Sequence, residues 1–408
     1  MADDIILFGA TGFTGRLVAA YLAEHAPSGT TIGLAGRSEE KLAKVRSELP
    51  AAAADWPLHV ADKTDPESVR KLAEGARVIV TTVGPYADGG LVLVEACARA
   101  GTDYADLAGE VLFMRDSIDR YDAVAKESGA RIVHASGFDS IPFDMGVAVL
   151  REKVREDGAG DLEDTTSMVV GMRGGFSGGT LQSLLGQLDE SKANPERGKI
   201  SVDPYGLSPD RSAEPDLGDE RDLRTVKRDD ELGAWLAPFV MAGINTRVVR
   251  RSNALQDWQY GRKFRYREAM AFRGNPAAPA MAAGLTAGLG GLMAGLSFKP
   301  SRSALMKVLP SQGEGPSEKA REKGFFKLEI HTRTSSGARY VCRVSAQGDP
   351  GYKATAVMLS EAGLCLALDR ERSPSGGGVL TPATAMGMPL VERLRAQGFK
   401  FEAERVSG

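Results

Sequence analysis

The sequence predicts an α/β fold: a parallel sheet covered by helices on both faces, followed by a second, α+β domain and C-terminal helices. Three observations lead there. Short apolar runs alternate with amphipathic stretches over residues 4–135, and parallel strands require crossover connections of that kind. The first apolar run leads straight into a glycine-rich segment, GATGFTG at 9–15, with a helical pattern after it. Past residue 146 the alternation lapses, and several strand-like stretches fit a mostly antiparallel sheet.

Taken in order, residues 5–8 form a buried strand, 9–15 a turn and 16–24 a helix. Residues 32–35 are the next strand, after which Ser38 caps a helix carrying Leu42, Val45 and Leu49 at helical spacing. Further strands are expected at 59–61, 78–83, 103–105 and 131–135, with helices at about 66–73, 90–100 and 111–127. Six strands alternating with helices give a Rossmann-type domain over residues 1–145. Residues 146–350 are read as the second domain. It opens with a helix, a strand at 166–172, a glycine-rich turn and a helix from about 180. A surface excursion at 192–232 precedes strands near 244–252, 258–270, 325–333 and 338–346. Residues 351–408 return to helix, at about 354–368 and 389–397.

A chain of 408 residues holds two or three domains of ordinary size. The formal net charge of −3 offers no basic excess to exchange for counterions, which argues against a nucleic-acid partner. Cys97, Cys342 and Cys365 lie far apart, so a reducing, cytoplasmic compartment is expected. The opening MADDIILFGATG is acidic ahead of its apolar run, the wrong polarity for an export signal. An uncharged Ala/Gly-rich run at 277–298 has the length of a bilayer span, but Pro279 and its many small residues weaken insertion. A span would also separate strand-like stretches that look like one sheet. The run is read as a buried helix or homodimer contact, or as a surface helix that touches a membrane or receives a long acyl chain.

The glycine-rich turn carries the first functional reading. Between a strand and a helix, Gly9 permits a sharp turn, Gly12 a close approach to a pyrophosphate, and Gly15 tight packing of helix on sheet. Thr11, Phe13 and Thr14 complete this contact, with free N–H groups of the helix end facing the phosphate. At the end of the second strand, where an NAD enzyme places a carboxylate, stand Arg37 and Ser38, with Lys41 one turn later. A guanidinium binds a 2′-phosphate that a carboxylate would repel, so NADP is the expected cofactor. Asp62, ending the third strand, is placed to reach the adenine or to form a surface turn. Val83 and Gly84, ending the fourth, bring backbone near the nicotinamide ribose.

Other chemistries fall away. Four histidines without HExxH spacing or a Cys/His cluster make no metal site. The tyrosine–lysine pair of short-chain dehydrogenases is absent. Residues 175–179 match a GxSxG nucleophile elbow, yet only His331 follows as a base, so a glycine-rich pocket turn is preferred.

GATGFTG (9–15), AGRS (35–38), TVGPY (82–86), AGTDYADLAGE (100–110), ASGFDSIPFDMG (135–146), GGFSGGT (174–180) and GDPGYKATAVMLSEAGLCLA (348–367) together cover essentially the whole chain. Through them the sequence resembles the saccharopine dehydrogenase-like oxidoreductases, especially the actinobacterial branch described as trans-acting enoyl reductases. The resemblance implies a second domain inserted before C-terminal helices that pack back on the Rossmann domain. It also implies an NADP-dependent reductase of a lipid or polyketide intermediate, with a hydrophobic or carrier-bound acyl substrate. Asp139 and Ser140 follow the sixth strand and, with Asp144, are expected at the nicotinamide end; Asp106 and Glu110 share that edge, as helix caps or ion pairs. Tyr86, Ser140 and Ser177 are candidate donors to an enolate oxygen. Two alternatives stay open: a non-catalytic NADP-binding sensor or scaffold, and an amino-acid dehydrogenase using Arg247, Arg250 and Arg251 to hold carboxylates.

Overall fold

The apolar runs of the N-terminal third become parallel strands. The computed structural model describes residues 2–174, 178–307 and 315–406. The chain begins β1 (Asp3–Phe8), α1 (Phe13–His25), β2 (Ile32–Gly36), α2 (Glu39–Glu48), β3 (Leu58–Val60), α3 (Pro66–Glu74) and β4 (Ala76–Thr81). It continues α4 (Gly90–Ala100), β5 (Asp103–Ala105), α5 (Val111–Ser128) and β6 (Arg131–Val133). Ile5, Ile6 and Leu7 are fully buried, which is why β1 reads as an unbroken apolar run rather than an alternating one. β1 pairs in parallel with both β2 and β4. Connections therefore run in opposite directions from β1, and a crevice opens at the carboxyl edge between it and β4.

The second half is organised around another seven-stranded sheet. Its elements begin with α6 (Ile141–Glu156), β7 (Leu162–Arg173), α7 (Gly178–Ala193), α8 (Pro195–Val202), β8 (Lys227–Asp229) and β9 (Ala234–Ala237). After them come α9 (Ala242–Leu255), β10 (Arg265–Phe272), α10 (Ala278–Ser297), α11 (Lys299–Leu305), α12 (Glu318–Glu322), β11 (Phe325–Thr334) and β12 (Arg339–Gln347). The C-terminal part holds α13 (Lys353–Leu368), β13 (Gly378–Leu380), α14 (Pro382–Ala385), α15 (Gly387–Ala396) and β14 (Lys400–Val406). The strand order is β14-β12-β11-β7-β10-β9-β8, with β7 and β10 parallel and the remaining pairs antiparallel. α6 packs on this sheet, while α13 packs on α1, β1, β4 and β5 of the first.

Beyond shifted bounds such as β10, which starts at Arg265 rather than 258, and the short unexpected strands β8 and β9, four departures from the sequence reading matter most. Residues 244–252, expected as a strand, belong to α9. Ala242 and every residue from Ile244 to Ala254 are buried, so this helix has no polar face to display a helical period. The excursion at 192–232 contains α8, capped by Asn194 with Pro195 in its first turn. The C-terminus is not helical throughout: β13 pairs with β6, and β14 pairs with β12. A three-residue strand is too short to show a period, although the Phe-Glu-Ala-Glu alternation of β14 was visible.

The fourth departure is α10. The expectation of a buried helix fails, since only Ala278, Ala282 and Leu296 are buried while Met281 and Phe298 are 48% and 64% exposed. Among the described residues it is one helix long and apolar enough to cross a membrane. It links β10 to later elements, and β10 and β11 lie on either side of β7 in one sheet.

Candidate active site

Gly9 follows β1 directly, and its φ of +97° makes the turn. A Cβ there would lie 2.7 Å from Thr82 Oγ1, and one on Gly15 would lie 2.1 Å from the Gly9 carbonyl oxygen. α1 is thus seated hard against the turn. Gly12 caps it without a side chain, so the first amides, which have no intrahelical acceptor, form a seat for a diphosphate. Thr11 and Thr14 flank the turn, half-buried. Phe13 packs edge-on against Tyr352, ring centroids 5.0 Å apart.

Arg37 stands exposed past the end of β2. Ser38 is spent as the α2 cap, its Oγ accepting the Lys41 N–H at 3.3 Å, and the exposed Lys41 brings a second cation to this edge. Asp62 accepts the Thr64 N–H and hydroxyl at 2.9 and 2.8 Å. Those bonds, helped by the Arg37 and Lys63 cations, hold its carboxyl below the usual range. A turn whose Gly9 and Gly15 admit no Cβ, and a guanidinium where a carboxylate would select NAD, both fit a 2′-phosphorylated dinucleotide.

From this seat a cleft of about 520 Å³ runs between the two sheets' loops. Thr82, Gly84, Pro85 and Tyr86 line one side, while Val83 packs against Gly9 instead. Across from them stand residues of α7 and the stretch Phe239 to Ile244. Tyr86 lines the cleft, but its hydroxyl donates to the Thr81 carbonyl and accepts the Leu107 N–H, both at 3.1 Å. Burial and the Asp106 carboxylate push this phenol well above its ordinary pKa. It holds the wall.

The carboxylates divide by environment. Asp106 is wholly buried and accepts from Tyr104 OH, the Ala108 and Ala135 N–H groups and His134 Nδ1. Glu110 accepts the Tyr86 and Ala87 N–H groups and the Ser183 hydroxyl, tying the β4 loop to α7. Asp144 takes the Ser252 hydroxyl at 2.5 Å and the Ala383 N–H at 2.8 Å, away from the cleft. Asp139 differs: it lines the cleft, half-buried. Burial, with the Asp106 carboxylate adding, pushes it up to about 7.

Ser140 does not line the cleft. It is fully buried and donates to Asn245 Oδ1 at 3.2 Å, while Asn245 donates to Glu268 at 2.9 Å. Ser177 lies outside the described residues. Arg247, Arg250 and Arg251 share a buried helix rather than a strand, pairing with Asp222 and with the Tyr266 and Leu207 carbonyls. No two-carboxylate pocket forms from the three. The sequence reading missed Ser183 and Gln187, which bind Glu110, the Val111 N–H and the Gly109 carbonyl. Their polar positions on α7 were the available signal.

Residues 5–133 match the family described as the saccharopine dehydrogenase NADP binding domain. A Mycobacterium tuberculosis H37Rv protein named as a trans-acting enoyl reductase is 50% identical over 412 residues, covering 99% of this chain and 98% of the relative. The chain belongs to the trans-acting enoyl reductase family. A second family member, the trans-acting enoyl reductase of Mycobacterium ulcerans, is 46% identical over 413 residues, 99% of this chain and 98% of its own. As a member of this family, with a matching NADP-binding domain, the protein is an NADP-dependent oxidoreductase. Its fold is that of the apo saccharopine dehydrogenase (L-Glu forming) from Saccharomyces cerevisiae, with a TM-score of 0.54 over 99% of each chain at 15% identity.

Proposed function

We propose that the protein uses NADPH to reduce the carbon–carbon double bond of an α,β-unsaturated acyl thioester, a lipid or polyketide intermediate. One observation carries this reading: a single cleft joins the dinucleotide seat to Asp139, a carboxyl that burial raises to about 7, so that much of it still holds its proton at neutrality. The trans-acting enoyl reductase name of relatives 46% and 50% identical supports it.

Bound NADPH supplies the hydride that goes to the β-carbon. The protein's part is to shape the site and manage the proton. Leu107, Phe138, Met172 and Phe239 give the cleft apolar walls that keep water from the enolate. Asp139 delivers its proton to the enolate, as a carboxylic acid with a pKa near the working pH does well. Ser140, one residue on, is a positioning residue that anchors this turn to Asn245.

Asp139→Asn is expected to lower turnover about a hundredfold while leaving NADPH affinity intact. Because the acid form is required, wild-type turnover falls as pH rises through about 7. Absence of NADPH oxidation across unsaturated thioesters of several chain lengths would overturn the reading. Met293 of α10 borders the cleft while Met281 and Phe298 face outward; on this ground we place α10 against a lipid surface that delivers the acyl chain. All three cysteines are free and buried, in keeping with a reducing cytoplasmic location.

A further inference from the structure

The cleft does not end as an apolar tunnel. Away from the dinucleotide seat its lining includes Arg221, Asp222, Arg224 and Arg247. Arg247 reaches the wall from buried α9 and is 2% exposed. Its guanidinium donates to the Asp222 carboxylate, to Thr246 Oγ1 at 2.8 Å and to the Val202 carbonyl at 3.0 Å. Its Nε is buried without a hydrogen-bond partner. Arg221 is held by Asp219 at 2.8 Å. Arg224 is exposed and, among the described residues, makes neither a hydrogen bond nor an ion pair.

Arg221 and Arg247 are thus each matched by a carboxylate, Asp219 and Asp222, while Arg224 stands without one where it lines the cleft. A simple hydrocarbon chain has no use for that charge. A substrate that is apolar at its reacting end and anionic at the other does. Thioesters of pantetheine 4′-phosphate have that form: an acyl group, an amide arm, then a phosphate. A guanidinium fork matches phosphate oxygens with charge-assisted bonds, and Arg221 and Arg247, each already paired with a carboxylate, leave that contact to Arg224.

We propose that Arg224 binds the phosphate of a pantetheine 4′-phosphate thioester, leaving the acyl chain to the apolar wall of Phe239, Met241 and Met293. This rests on the reading of the cleft as an acyl thioester site. The phosphate belongs alike to coenzyme A and to the prosthetic arm of a carrier protein, and both present it at the same distance from the thioester.

The test is calorimetric titration of the NADP-loaded full chain with 4′-phosphopantetheine and with pantetheine, which lacks the phosphate. Wild type is expected to bind the phosphorylated form about tenfold tighter. In Arg224→Glu this preference disappears, while NADP affinity and melting temperature hold; Arg224→Lys retains part of it. Equal binding of the two ligands by wild type, or an undiminished preference in Arg224→Glu, overturns the proposal. With substrates, Arg224→Glu is expected to raise KM for an unsaturated acyl-coenzyme A and for the same acyl group on a carrier protein together. A rise confined to the carrier would place Arg224 on the carrier's protein surface and overturn the phosphate assignment. Loss of turnover with every thioester in wild type would count against the reductase reading instead, with the binding comparison still deciding the phosphate contact.

Discussion

A cation past β2 and a half-buried carboxyl behind β6 divide the work of the site. Arg37 is the proposed partner of the ribose phosphate, with Asp62 nearby held below its usual carboxyl range by its bonds to Thr64. Replacing Arg37 with Asp is expected to weaken NADP binding by about tenfold or more and to favour NAD, because attraction becomes repulsion at one position; fluorescence titration of both cofactors checks it. The candidacy of Arg37 was legible in the sequence because the position at a strand end that meets a dinucleotide's ribose is a short local stretch. Ser140 was not. Its burial depends on Asn245, 105 positions away, and no local pattern reports which distant helix will cover a sheet edge. Asp139, its neighbour, kept the exposure that Ser140 lost.

At the level of elements, the contact between α1 and the turn after β1 leaves least room for change. Gly15→Ala would put a methyl group 2.1 Å from the Gly9 carbonyl oxygen. The helix must shift, at a cost of about 1–3 kcal/mol, and the diphosphate seat shifts with it. Both a lower melting temperature and weaker NADPH binding are expected, and neither should follow from Gly186→Ala, where a Cβ meets nothing within 4 Å. α10 makes a separate prediction. Met281→Glu with Phe298→Glu should abolish co-flotation with liposomes without changing NADP affinity, since both side chains face solvent. Unaltered flotation would sink the lipid-surface assignment. Amphipathic helices such as α3 announced themselves by spacing, whereas α9, buried over most of its length, presented Ile244, Thr246, Val248 and Val249, a β-branched set that resembles a strand.

Across the whole molecule, buried carboxyls tie α9 to α6, α14 and β10 and make stability depend on pH. Asp144 bonds to Ser252 of α9 and to Ala383 of α14, and burial pushes it up to about 7. Glu268, between Asn245 and Tyr266, is pushed by burial up to about 8. The native state holds these protons where the unfolded chain has already released them. Their contribution is therefore full in acid and lost as pH rises through about 7 for Asp144 and about 8 for Glu268. Thermal melts should show a midpoint that falls from about pH 4 upward and levels off past about 7 to 8, and Asp144→Asn should flatten the fall; an unchanged slope would remove Asp144 as its source. The parallel sheet was readable because each βα unit is local. The mixed sheet was only partly readable, since its strands come from β7 through β14 and pair across long intervals.

Both sheets receive a strand from the last thirty or so residues, β13 at the edge of one and β14 at the edge of the other. A ribosome must therefore release residues 378–380 before the first sheet is finished and residues 400–406 before the second, however early the nucleotide fold is translated. Until then β6 and β12 offer bare edges to any neighbouring chain. Premature termination in this stretch would thus yield a sticky product for chaperones and proteases to clear, not a shortened enzyme.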